Sequence, residues 1–166
     1  MSTAQETTPA VADVRSLVTP EEFAGVAATV ERDNPGMGIE MAEQITAEAL
    51  KFVAACAASP TSGLRPSRTV DEGWHALILH TVVYARLCKR LGLFVHHVPE
   101  PPDTTRHDPD ALTRTMNAIA AAGYAVDTAL WKPPTDSSIP VAAKCEHGEE
   151  PSGCSFDCGN SGPNVA

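Results

Sequence analysis

Between residues 71 and 97 the sequence sets Asp71, Trp74, His75, His80, Tyr84, Cys88, His96 and His97 among Val, Ile and Leu. Imidazole and carboxylate together are ligands for zinc and iron, and the same pair makes a general base of fixed tautomer. At about 100° per residue on a helix, Asp71 and His75 fall roughly 40° apart on one face, so the carboxylate reaches a ring nitrogen. His80 lies about 140° round from His75, on a ridge with Tyr84, Leu87 and Leu91, while Trp74, Thr81 and Cys88 share a third side. His75, His80 and Cys88 therefore cannot all bind one ion from one regular helix, unlike two histidines set four residues apart in a metalloprotease. A site on Asp71 and His75 needs donors from another element. His96 and His97 follow the helix-ending Gly92 and are the suppliers, leaving one position or more open as catalytic metal sites do.

The metal reading thus rests on His75, Asp71, His96 and His97, with His80, Tyr84 and Cys88 secondary. A plainer reading stands beside it. A histidine on an apolar helix is commonly a core residue bonded to a carbonyl or carboxylate, and Asp71 with His75 could be a buried capping pair. Trp74 and Tyr84 then pack, each polar tip finding a partner, and Cys56 and Cys88 are small core hydrophobes. No catalytic residue is assigned.

The elements that must position these groups are helical. Thr19, Pro20 and Glu22 form a capping-box start, with Phe23, Val26, Ala27 and Val30 as the apolar stripe and Asn34-Pro35-Gly36 as the stop. A second helix runs from about Gly38 to Ala58 on Met41, Ile45, Ala49, Phe52, Val53 and Cys56. After a loop with Pro60, Gly63 and Pro66, a cap among Ser67, Thr69 and Asp71 opens one long third helix ending near Gly92. It is apolar nearly all round and belongs at the centre of a bundle. Asp108, Pro109 and Asp110 start a fourth helix reaching Gly123, and Val126, Leu130 and Trp131 add a short last turn. The expectation is an all-α, single-domain bundle of about four helices over residues 17–131. A disordered leader at 1–16 and a disordered acidic, Cys-containing tail at 132–166 complete the chain.

The pattern formed by Asp71, Trp74, His75, His80, Thr81, Tyr84, Cys88, His97 and Pro99 resembles the short motif of the glycine-rich domain-containing protein family and its small bacterial relatives. The resemblance covers about thirty residues and implies a helical domain followed by a Gly- and Cys-rich tail. The tail here, with Cys145, Cys154 and Cys158, is similar in kind and poorer in Gly.

The tail has its own chemistry. Cys145, His147, Cys154 and Cys158 supply enough donors for a four-coordinate zinc, although only Cys154 and Cys158 approach knuckle spacing. It could equally carry incidental thiols, or be a peptide presented to a modifying enzyme.

Composition narrows the rest. A formal charge of −9 argues against a phosphate-backbone binder, so nucleic acid is not an expected partner. No apolar run is long enough for a bilayer and no signal segment opens the chain, which makes the cytoplasm the expected location and a membrane an unexpected partner. Five Cys in 166 residues favour thiols or ligands over a disulfide scaffold. Three functions follow. The first is an auxiliary domain binding zinc or iron through its histidines. The second is a metalloenzyme on the same ligands with His80 or Tyr84 as acid or base. The third is an interaction or precursor protein, with a protein or peptide partner not identified by sequence, whose tail is modified.

Overall fold

The computed structural model describes residues 11–98, 108–133 and 135–141, and within them every regular element is helical. Five α-helices appear: α1 (Pro20–Asp33), α2 (Ile39–Ala58), α3 (Arg68–Leu79), α4 (Thr81–Leu91) and α5 (Ala111–Ala121). Short 3-10 turns at Val14–Leu17 and Thr128–Leu130 flank them.

The start of α1 follows from its first four residues. Thr19 Oγ1 accepts from the Glu22 amide at 3.2 Å and Glu22 Oε2 accepts from the Thr19 amide at 2.9 Å, so two amides at the open helix end are satisfied. Phe23, Val26, Ala27 and Val30 form the buried stripe, and Asn34 closes the helix by donating from Nδ2 to the Val30 carbonyl at 2.9 Å. The same amide group reaches Glu72 Oε2 at 3.2 Å, tying the end of α1 to α3.

Helix α2 holds the middle. It packs against α1, α3, α4, α5 and the first 3-10 turn, and from Ala49 to Cys56 every residue except Lys51 is buried. Phe52 lies between two indoles, with ring centroids 5.0 Å from Trp74 and 6.3 Å from Trp131. The centre expected of the third helix is therefore taken by α2.

The expected long third helix is two helices. At His80 the backbone leaves helical geometry (φ −83°, ψ 64°), yet its N–H still closes α3 on the Ala76 carbonyl and its carbonyl accepts the first bond of α4 from Tyr84. No Pro or Gly marks the break. Its anchor is tertiary: His80 Nε2 lies 2.9 Å from Thr29 Oγ1 on α1. Leu79 and Val82, beside the break, face solvent.

The ends also differ from expectation. Val14 is buried in the core and Arg90 donates to the carbonyls of Ser16 and Leu17, so ordered packing begins before residue 17. Ile139 rests partly buried against the core, beyond the expected boundary at Trp131. Asp108 accepts from the Asp110 amide at 3.0 Å in a turn ahead of α5, moving that helix start to Ala111. Residues 1–10 of the expected leader and residues 142–166 of the expected tail, with Cys145, His147, Cys154 and Cys158, lie outside the described residues.

Candidate metal site

Ser67 caps α3 by accepting from the Val70 amide at 3.1 Å, and Asp71 follows in the first turn, where the positive end of the helix favours a carboxylate. One turn later comes His75. Gly73, between them, is about 160° round the helix from both. It presses against α2 so closely that an added Cβ would lie 2.8 Å from both Ala49 Cβ and the Ile45 carbonyl oxygen. This contact turns Asp71 and His75 to the side of α3 away from α2.

The second element arrives by a reversal. Gly92 takes the left-handed conformation after α4 (φ 83°), and residues 93–98 run back along α3. Side chains in this stretch alternate as in an extended chain: Val95 is fully buried and His97 nearly so, whereas Phe94 and Val98 face outward.

His97 Nε2 lies 3.3 Å from Asp71 Oδ1, and His75 Nε2 lies 3.5 Å from Asp71 Oδ2. The carboxylate is 1% exposed, His97 9% and His75 32%, so the group is sealed at Asp71 and opens to solvent through His75. The two imidazoles are 4.4 Å apart between centroids, and Trp74 backs His97 at 4.5 Å. One ligand atom from each of Asp71, His75 and His97 falls within 4.8 Å of the others. An ion with bonds of about 2.1 Å sets tetrahedral ligands about 3.4 Å apart, so ligand atoms that lie within 4.8 Å of one another would draw together around it. Two neutral imidazoles and one carboxylate carry a single negative charge, which suits a divalent cation of borderline softness.

Of the sequence-predicted ligands, Asp71, His75 and His97 come together. His96 does not. Next to His97 in an alternating chain, it turns the other way, with its ring 4.8 Å from that of Phe94 and its buried Nε2 without a hydrogen-bond partner among the described residues. His80 is held by Thr29 and takes no part in the group. Tyr84 accepts from Trp74 Nε1 at 3.0 Å and donates to the Val95 carbonyl. Burial pushes its phenol above the ordinary tyrosine range, so it stays protonated at neutral pH with its hydrogen directed at the Val95 carbonyl. Cys88 and Cys56 are buried and lie outside the group. Sequence reasoning missed Thr29, a lone hydroxyl residue on a helix face, and treated Trp74 as packing when it also supports a candidate ligand. Neither carries a sequence signal, since both contacts join residues far apart in the chain.

No helix among the described residues is long and apolar enough to cross a membrane. No curated protein and no solved structure matches the chain. A family model described as UCP032817-like matches residues 16–127, a span that takes in all five helices and the Asp71, His75 and His97 group, and the chain belongs to that family.

Proposed function

We propose that this protein is a helical metal-binding domain that holds a divalent ion, zinc or iron, on Asp71, His75 and His97. The observation that carries the reading is the approach of two imidazole nitrogens, from separate elements, to one buried carboxylate. A structural role would be served by a single imidazole on that carboxylate; two offer the donor set of a two-histidine, one-carboxylate metal site. The likeness of residues 71–99 to glycine-rich domain-containing proteins agrees with a helical domain built around this patch.

The exposure of His75 favours a second reading on the same ligands, a metalloenzyme, because three protein ligands leave a tetrahedral ion one position for water or substrate.

Elemental analysis of untagged protein tests the proposal. The wild type should carry stoichiometric zinc or iron. His75→Ala and His97→Ala should lose it, and a full-length chain with Cys145, Cys154 and Cys158 changed to Ser should keep it. Metal lost only from the Cys-to-Ser chain would move the site to the tail, and metal absent from all of them would leave the histidines as architecture.

A further inference from the structure

Tyr84 fastens the reversal that brings His97 to Asp71. The hydroxyl of Tyr84 on α4 accepts from the Trp74 indole N–H at 3.0 Å and donates to the carbonyl of Val95. Both bonds bear on His97 from different sides. Val95 is two residues ahead of it in the chain, and the Trp74 ring lies against its imidazole at 4.5 Å between centroids. Phe94 adds an edge-on contact to the Tyr84 ring at 5.5 Å and 86°. The bend at His80 makes the arrangement possible, because residues 74 and 84 would sit about 15 Å apart along a straight helix. Tyr84 and Val95 are buried, so neither bond competes with bulk water.

We propose that Tyr84 is the positioning residue of the metal site: its hydroxyl locks the 93–98 stretch and the Trp74 ring together, fixing where His97 meets Asp71. This rests on the metal reading of Asp71, His75 and His97. The tyrosine touches no ligand atom. It acts through the backbone of Val95 and the face of Trp74, as outer-shell groups around metal ligands do.

The test compares wild type, Tyr84→Phe, Thr46→Val and His75→Ala, all full length, with zinc affinity measured by chelator competition and cobalt absorption as a record of geometry. Thr46→Val removes a buried hydroxyl whose bond, to the Ala42 carbonyl at 2.8 Å, stays within α2, and so matches the chemical loss without touching the bend at His80. Tyr84→Phe should weaken zinc binding about 10- to 100-fold and change the cobalt spectrum, while Thr46→Val binds as wild type. A second readout needs no metal: His97 ring protons, displaced in wild type by the Trp74 ring current, should move toward ordinary imidazole positions in Tyr84→Phe. Wild-type zinc affinity in Tyr84→Phe, or unmoved His97 resonances, would overturn the proposal. Equal zinc uptake by wild type and His75→Ala would instead sink the metal reading, and the proposal with it.

Discussion

Two carboxylates are buried to the same degree in this bundle and are treated in opposite ways. Glu48 on α2, 1% exposed, accepts from the Trp131 indole N–H at 2.7 Å, the Asp127 amide at 3.2 Å and the Lys51 ammonium. Lys51 in turn donates to the Ala125 carbonyl at 2.7 Å. These donors are fixed: an indole, an amide and an ammonium offer hydrogens at any pH near neutrality. Asp71, equally buried, faces two imidazoles, which donate or accept according to protonation and tautomer and which a metal can claim instead. A carboxylate held by fixed donors fastens the chain after α5 onto α2. A carboxylate approached by two exchangeable rings is placed for the metal proposed above.

The largest effect should come from breaking the fixed cluster. Glu48→Ala leaves the Lys51 ammonium and the Trp131 indole without their shared acceptor, and should cost about 3–5 kcal/mol of stability by urea unfolding. It should leave the zinc affinity of the folded fraction unaltered.

The converse change sharpens the contrast. Asp71→Asn keeps an acceptor for an imidazole N–H, so stability should move by less than about 1 kcal/mol while metal affinity falls about 100-fold or more. A loss of stability as large as that of Glu48→Ala in metal-free protein would make the two carboxylates alike and Asp71 structural. Wild-type affinity should also fall as pH is lowered, because protons compete for the ring nitrogens, and metal uptake should release protons measurable in weak buffer.

Gly73→Ala couples the two regions. Its Cβ would meet Ala49 and the Ile45 backbone at 2.8 Å, and backbone cannot move aside cheaply. The expected cost is about 1–3 kcal/mol, with a loss of metal affinity as α3 shifts off α2.

The smallest effect belongs to an ion pair near the surface. Arg114 donates to Asp108 at 2.6 Å and holds its carboxyl below the usual carboxylate range. A depressed folded value means that the contribution is present at neutral pH and is lost as pH falls through that value. Asp108→Asn should therefore cost about 0.2–1 kcal/mol at pH 7 and nothing once the carboxyl is protonated in acid, as read by unfolding at the two pH values.

Local chemistry was legible in the sequence wherever it acts within a few residues. The Thr19 and Glu22 capping box, the α2 stripe, the left-handed stop at Gly92 and the Asp71 to His75 pairing each depend on residues no more than a turn or two apart, and each is found in the fold. The break at His80 was illegible because Leu77 to Val83 has no helix breaker, and the bend is held by a threonine fifty-one positions away in sequence. Likewise nothing local separates His96 from His97. Which of two neighbouring imidazoles faces Asp71 depends on the phase of the returning chain, and a shift of one residue would exchange them.

Amino-acid order alone therefore determined that the chain is helical, where most helices begin and end, and that Asp71 and His75 share a face. Tertiary structure alone decided that α2 holds the centre, that the third helix bends at His80, and that His97 completes the group. The physical reason is range. Capping bonds and helical periodicity are settled between near neighbours, whereas the Thr29 anchor, the Gly73 contact and the Tyr84 fastening exist only once distant segments have packed.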